Sequence, residues 1–248
     1  IFEAGIDTTT PSADGDAGKI WEYTVGAAAN AVKTYTIEGG DNIDAGEMEY
    51  CFVTRYTLSG NAREAVMVSA DWVGRQYADT TFTSLSPVAV TDMLANKSTL
   101  SIDTVAAGLG ANARAGILRG WELTVNTGWQ PVWVGNAQLY YHGMKNVGPS
   151  AELRLILEHE DYVPTERAAA AAMTPRAVRI KIEGPTLAGS TYTVNTHLLD
   201  FVGYYSAPLG ELEDQEGDNI VTATLRADYN ATIASFVKHT HVCAVAAV

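Results

Sequence analysis

Few residues in this sequence have types and spacing that suit chemistry, and the first candidate is a glycine pattern at residues 108–113. Gly108, Gly110 and Ala113 formally match the G-x-G-x-x-A fingerprint of dinucleotide-binding loops. That fingerprint requires a βαβ unit and an acidic residue about 20 positions later to hold a ribose. The downstream segment is strand-like and Glu122 comes too early. The pattern therefore favours an ordinary loop over a nucleotide site.

His239 and His241 are spaced for a shared role, because residues i and i+2 of a strand point to the same side. Such a pair can ligate a metal, but two ligands are too few for a structural zinc and no third is identifiable. We therefore expect a surface or interface pair and predict no metal site.

Carboxylates gather in three places. Glu158, Glu160 and Asp161 precede a predicted helix, where capping and solvation explain them better than the separated acid pair of a glycosidase. The acidic segment 211–218 lacks the residue order of a calcium-binding loop, so we expect it to be structural and to bind no calcium. This segment and the acidic stretch 38–47 are each either a solvated turn or a contact loop between subunits.

The sequence contains no G-x-S-x-G elbow, no H-E-x-x-H and no P-loop. We therefore predict no catalytic residues and no cofactor, and interpret the chain as a protein that is not an enzyme. One binding alternative comes from an aromatic group that forms either a carbohydrate-stacking platform or part of a core or interface. Its members are Trp121, Trp129, Trp133, Tyr140 and Tyr141.

Charge excludes one class of function. The chain carries 29 acidic and 16 basic residues, for a formal net charge of −13, and its basic residues are scattered. Tight nucleic-acid binding requires a clustered basic surface, so it is not expected here. Charged residues make up 18% of the chain, below the ~25% of typical soluble domains. That depletion fits either extensive subunit contacts or a monomer with a Ser/Thr-rich surface.

Cys51 and Cys243 lie far apart in the sequence, and a lone pair is neither a disulfide framework nor a metal cluster. Two reduced thiols are expected, consistent with maturation in a reducing cytoplasm. No apolar run approaches the ~18 residues of a membrane span, and no signal peptide is recognised. The sequence therefore predicts no membrane association.

Apolar residues recur mainly with period two, which is typical of half-buried strands. Segments 50–58 and 66–72 are predicted to form a hairpin around a turn at Ser59, Gly60 and Asn61. The alanine-rich segment 164–174 predicts one helix, with Pro164 in its first turn and Pro175 ending it. Residues 7–18 are expected to form an arm or mobile tail. The other predicted strands are 19–25, 32–38, 100–103, 118–126, 137–141, 151–158, 178–182 and 221–226.

About ten short strands separated by Gly, Asn, Asp and Pro predict a mainly β protein, an antiparallel β-sandwich or barrel with one short flanking α-helix. We divide the chain into residues 1–45, an N-terminal arm and first strands, and residues 46–248, the sandwich domain with its helix near 164–174.

Three segments between residues 49 and 230 occur in a recognisable order. Residues 49–60 end in Leu58-Ser59-Gly60, and the strand that follows closes with Gly74-Arg75. Residues 120–131 then give a strand leading to a glycine-containing loop, and the segments from 151 to 230 run strand, helix, strand, strand. In this order they resemble the major tail tube proteins of long-tailed, siphovirus-like bacteriophages.

The resemblance implies a structural virion protein whose sandwich fold is of the tail-tube type. Six copies would form a ring, and stacked rings would form a tube through which DNA passes during ejection without specific binding. It also implies contacts with tape measure, tail terminator and baseplate proteins, assembly in the host cytoplasm and a place in the virion tail. We further expect a net negative lumen, which keeps DNA hydrated and sliding. The alternatives are a carbohydrate-binding β-sandwich module and another β-rich tail or baseplate protein.

Overall fold

The computed structural model describes residues 1–15, 17–26, 30–41, 43–83, 91–210, 212–215, 217–231, 234 and 236–246. These residues form seventeen β-strands, two α-helices and a 3₁₀ turn at Ala95–Lys97, and the predicted mainly β class is confirmed. The elements are α1 (Phe2–Gly5), β1 (Ser12–Asp14), β2 (Gly18–Val25), β3 (Tyr35–Gly40), β4 (Ala45–Asn61), β5 (Met67–Val73), β6 (Gln76–Thr80), β7 (Ser98–Thr104), β8 (Ala113–Arg114), β9 (Leu118–Asn126), β10 (Trp129–Val132), β11 (Gly143–Asn146), β12 (Ser150–Glu158), α2 (Val163–Ala171), β13 (Arg176–Thr186), β14 (Val194–Tyr205), β15 (Glu213–Gln215), β16 (Asp218–Ala227) and β17 (Val237–Cys243).

The strands pair antiparallel in two layers. Sheet 1 has the order β1-β2-β17-β14-β13-β7-β8, and sheet 2 has the order β5-β4-β9-β12-β16-β15. The layers join where the last residues of β14 pair with β16. The first part of β4 lies between β3 and β6, and we call this three-stranded region the extension. Strands β10 and β11 form a separate hairpin.

One hydrophobic core holds the two sheets together. Its residues are the apolar members of the alternating apolar and polar pattern in the sequence. Leu153, Leu155 and Leu157 of β12 are buried, while Arg154 between them is exposed. Residues of sheet 1 such as Ile180 and Phe201 belong to the same cluster. Each fully buried aliphatic or aromatic side chain contributes about 1.5–3 kcal/mol, so this shared core is what keeps the layers face to face.

Helix α2 confirms the helix predicted near residues 164–174. Pro164 occupies its first turn, where a missing N–H costs nothing. The helix ends before Met173, which has a φ of +49°, and the N–H of Thr174 bonds back to the carbonyl of Ala169. Glu166 is buried beneath the helix and pairs with Arg176 at 2.7 Å. The helix is therefore fastened to the start of β13.

The turn predicted at Ser59, Gly60 and Asn61 is wrong. These residues continue β4, where Gly60 pairs with Trp121 of β9, and the chain reverses instead over residues 62–66 with Arg63 at a φ of +75°. A Cβ atom on Gly60 would lie 2.7 Å from Nε1 of Trp121. Gly60 is thus required by close packing against an indole and not by a turn.

Two further expectations differ from the structure. Residues 137–141 form no strand, and β10 pairs with β11, which begins only at Gly143. Residues 7–18 do not form a free arm over their described length. Residues 12–14 pair with β2, and the buried Asp14 accepts hydrogen bonds from the N–H groups of Thr191 (2.7 Å) and Tyr192 (2.9 Å). Those bonds tie the N-terminal segment to sheet 1.

Candidate functional site

The glycine pattern at residues 108–113 lies in the connection between β7 and β8, which contains no helix. The buried Asp103 carboxylate accepts hydrogen bonds from the N–H groups of Gly110 (3.0 Å), Ala111 (3.1 Å) and Asn112 (2.8 Å). Amides that would cradle a phosphate in a dinucleotide site are thus occupied by a carboxylate of the chain itself. The segment is a loop fastened from within, without the βαβ context of a nucleotide site.

The histidine pair lies elsewhere than expected. His239 and His241 share one side of β17, as the spacing predicts, but His239 is buried in the core and His197 of β14 lies beside both. The prediction of a surface or interface pair is therefore wrong for His239. Its ring stacks on Phe2 with centroids 4.5 Å apart, because α1 folds over this face of the sheet.

Hydrogen bonds connect this cluster to sheet 2. The hydroxyl of Tyr56 lies 2.8 Å from Nε2 of His239, and Nδ1 of His239 lies 3.4 Å from Nε2 of His197. Burial raises the pKa of Tyr56, so the phenol stays protonated. Tyr56, His239 and His197 thus form one hydrogen-bonded chain of neutral groups through the core.

Burial also keeps the histidines neutral. Desolvation lowers the pKa of His239 to about 3 and lowers that of His241. Desolvation, followed by repulsion from His239 and His241, depresses the pKa of His197 well below its usual value. Within the described part of the chain, no group of three or more His, Cys, Asp and Glu side chains is arranged to hold a metal.

Next to the cluster lies a pocket of about 770 Å³, within the size range of small-molecule sites. It opens between α1, β2, β3, β5 and β17, and its lining is mostly apolar. Members of that lining include Trp21, Tyr35, Trp72, Met93, His241 and Cys243. We call this cavity the aromatic pocket. Its walls come from segments far apart in the sequence, which is why no local motif indicates it.

Two polar groups in the wall of the aromatic pocket, Glu3 and Tyr35, are bonded to each other. The buried Glu3 accepts a hydrogen bond from the hydroxyl of Tyr35 at 2.6 Å and contacts Nζ of Lys33 at 3.4 Å. Burial, reinforced by that bond to Glu3, raises the pKa of Tyr35, and burial raises that of Tyr23 to about 12. Both phenols stay neutral and are therefore not activated as nucleophiles, and the largely apolar lining suits the binding of an apolar group.

The carboxylates singled out in the sequence serve other purposes. Glu158 pairs with Arg119, which also contacts Asp218, while Glu160 and Asp161 are exposed at the start of the helical segment. The carbonyl of Glu160 accepts the N–H of Val163. The Glu158 carboxylate therefore belongs to a surface ion network. The capping predicted for Glu160 and Asp161 is wrong, because no side chain caps this helix, whereas their predicted solvation is confirmed.

Both acidic segments are β-hairpins. Residues 213–215 pair with 218–220, while Glu211 and Glu216 of the predicted loop lie outside the described residues. In the stretch 38–47, where Asn42 is likewise not described, the Asp41 carboxylate accepts the N–H groups of Ile43 (2.8 Å) and Asp44 (2.9 Å). Local hydrogen bonds occupy this carboxylate and organise the turn.

The aromatic residues considered for carbohydrate binding are not brought into one platform. Trp121 and Tyr141 are buried, the hydroxyl of Tyr141 donates to the carbonyl of Tyr50, and Tyr140 stacks against Arg75. Trp133 alone among them is 64% exposed. The group is thus divided between the core and the outer part of the β10–β11 hairpin.

Comparisons with known proteins add no identification. No protein-family model matches the chain, and no curated protein matches its sequence. Among the described residues, no helix combines the length and apolar character needed to cross a membrane.

Proposed function

We propose that this protein is the major tail tube protein of a long-tailed bacteriophage, a structural virion component that forms hexameric rings stacked into a conduit for DNA. The observation that carries the proposal is the extension, because the core of its own chain covers only its base, where Tyr35 of β3 packs. Strands β3 and β6 contain no fully buried residue, and Ile43 at the tip and Tyr77 on β6 are 91% and 69% exposed.

A projecting sheet with apolar residues in water is unfavourable unless another surface covers it. Sheet 1 ends in β1 and β8, which have three and two residues, and such short edges resist pairing with other chains. The extension ends instead in β3 and β6, with six and five residues. Strand β5 at the edge of sheet 2 has seven residues, so β5 and the extension together offer the longer edges for pairing with further copies of the same chain.

The outer face of sheet 2 supports a conduit for DNA. Its charged residues lie opposite partners of the other sign on neighbouring strands. The pairs are Arg55 with Asp71, Arg154 with Glu122, and Arg226 with Glu152. Thr57, Thr124, Thr222 and Thr224 lie among them. A phosphate passing this face would meet no uncompensated group of cations, so DNA would slide without being held. Because the named pairs balance, the predicted net negative lumen would draw on other residues of the ring.

In this proposal the protein has no catalytic role, and its partners are its own copies together with tape measure, tail terminator and baseplate proteins. It is assembled in the host cytoplasm and resides in the virion tail. Another β-rich baseplate or tail component would share the fold but occur in few copies per particle. The copy number of this chain in particles therefore distinguishes the two functions.

The test is assembly of the purified chain. We expect rings or tubes by negative-stain electron microscopy and fast-sedimenting species at high concentration. Ile43→Asp places a charge at the tip of the extension and is expected to abolish tubes while the monomer stays folded. Ile43→Leu keeps the apolar contact and is expected to assemble like the wild type.

Two results would count against the proposal. A wild-type chain that remains monomeric at high concentration, without tubes even when preformed seeds are added, rejects the tail tube function. Assembly of Ile43→Asp at the wild-type rate rejects the role of the extension. Circular dichroism of each variant establishes that a loss of tubes does not reflect unfolding.

A further inference from the structure

The outer end of the β10–β11 hairpin is the most exposed apolar segment that the structure describes. Residues 133–139 are all exposed, and Leu139 is 98% exposed, Trp133 64% and Val134 46%. We call residues 133–140 the apolar tip. Side chains of this kind at the end of a projection cost free energy in water and are typical of a contact with another molecule.

The hairpin that carries the apolar tip is firmly anchored. Nε of Arg75 donates to the carbonyl of Tyr141 at 3.2 Å, and the Tyr141 hydroxyl donates to the carbonyl of Tyr50 at 2.6 Å. The guanidinium of Arg75 also lies over the ring of Tyr140, 4.7 Å from its centroid. Because its base is fixed, the tip is presented in a defined direction, and little conformational entropy is lost when it binds.

The aromatic pocket is the matching cavity on the same chain. Its volume of about 770 Å³ is sufficient for a few large side chains, and no residue of the hairpin lines it. Leu58, Met67, Trp72 and Met93 contribute to walls that suit the apolar side chains of the tip. The apolar tip and the aromatic pocket lie at different places on the chain, so the tip does not fill the pocket of its own copy. The tip of one copy can fill the pocket of another.

Charge favours a second copy of this chain as the occupant. The acidic side chains Glu3 and Asp92 line the aromatic pocket, and no lysine or arginine side chain does. Lys33 outside the lining pairs with Glu3, so Asp92 contributes most of the negative charge there. Residues 129–146 contain no acidic residue, and their charged side chain is Lys145, although the whole chain has 29 acidic residues. The tip carries no acidic residue and can therefore approach the pocket without electrostatic repulsion.

We infer that the apolar tip of one copy docks in the aromatic pocket of the next. Because tip and pocket are different surfaces, the contact is head to tail, and it repeats into a closed ring or an open stack according to the rotation between copies. The inference rests on the proposed function only for the final geometry, since the contact itself requires nothing but a second copy.

Native Cys243 in the wall of the pocket makes a direct test possible, because the other cysteine, Cys51, is buried. Leu139→Cys places a thiol at the tip. With copper phenanthroline and dissolved oxygen as oxidant, two thiols lose two electrons and two protons to form a disulfide. We expect a ladder of linked dimers, trimers and longer species on non-reducing gels, and its collapse after reduction.

Three controls identify the bond. Tyr229→Cys puts a thiol at a residue that is 60% exposed outside the hairpin, and it is expected to give no ladder. Adding Cys243→Ala to Leu139→Cys should abolish the ladder. Mixing that double variant with wild-type protein should give linked dimers only, because each copy then carries one reactive thiol. Peptide mass spectrometry identifies the joined residues.

Each remaining outcome decides the question. Tubes of the Leu139→Cys variant in which residues 139 and 243 fail to link overturn the docking and leave the proposed function standing. Linked head-to-tail chains that never form rings or tubes support the docking and reject the tail tube function. A Cys243 that resists maleimide in the isolated monomer shows that its own chain covers the pocket, and this also overturns the inference.

Discussion

The three histidines near the aromatic pocket illustrate how burial determines the behaviour of single residues. His197, His239 and His241 lie together between Phe2 and Tyr56, where charge is poorly solvated, and each has a lowered pKa. The unfolded chain binds protons on these rings as the pH falls below about 6.5, whereas the folded chain does not. Acid therefore favours the unfolded state.

We expect the free energy of unfolding to be fully retained above pH 6.5 and to decrease progressively as the pH falls toward the lowered pKa values. For His239, with a pKa of about 3, the loss at pH 5 is about 2 kcal/mol. His239→Gln keeps an acceptor for Tyr56 and should flatten the pH dependence between 6.5 and 5. Urea unfolding followed by tryptophan fluorescence measures it, with the exposed His142→Gln as control. Equal slopes in all three proteins would contradict this account.

Glu166 and Arg176 form a buried ion pair whose exposed side-chain fractions are 4% and 7%, and the Tyr205 hydroxyl donates to the same carboxylate oxygen of Glu166. Glu166→Ala leaves the guanidinium buried without its counter-charge and is expected to cost about 3–5 kcal/mol. The exposed Glu160→Ala should cost less than about 0.5 kcal/mol. Denaturant midpoints compare the two, and a Glu166→Ala loss below about 1 kcal/mol would show that the pair is dispensable.

Strands and helices differ in how clearly the sequence reveals them. Strands such as β12 and β16 have one face in the core and one in water, so their alternation identified them. The sequence pattern does not predict strand β14, because eight consecutive residues, 196–203, are buried on both faces and show no period of two. Helix α2 was recognised from its alanines and flanking prolines, signals that are local and need no knowledge of neighbours.

The outer face of sheet 2 gives a prediction that concerns whole strands. Thr57→Lys combined with Thr224→Lys adds cations to a face whose charges are otherwise paired across strands. We expect tubes of this variant to hold short DNA duplexes that are protected from nuclease and released by salt. Tubes of the wild type and of the matched Thr57→Gln, Thr224→Gln variant should hold none. If tubes of the lysine variant bind DNA that nuclease can still digest, the bound DNA lies outside the tube, and this face does not line the conduit.

At the scale of the whole molecule, composition indicates which classes of function to expect, but it does not locate a binding site. The net charge of −13 and the scattered basic residues argue against tight nucleic-acid binding. On the described outer face of sheet 2, charged residues lie opposite residues of the other sign on neighbouring strands. The aromatic pocket was not predictable, because α1, β2, β3, β5 and β17 meet only after both sheets have closed. Assembly, which depends on exposed surfaces, likewise requires the folded arrangement of the extension and the apolar tip.

The position of β17 has a consequence for the order of events during synthesis. Residues 237–243 lie between β2, formed by residues 18–25, and β14, formed by residues 194–205. Until the ribosome has released residue 243, the two earlier strands lack their common neighbour and sheet 1 is open in its middle. Pairing over such a sequence separation is slow, so folding is expected to finish late and all at once. A nascent chain therefore cannot recruit other copies before its translation has passed this strand.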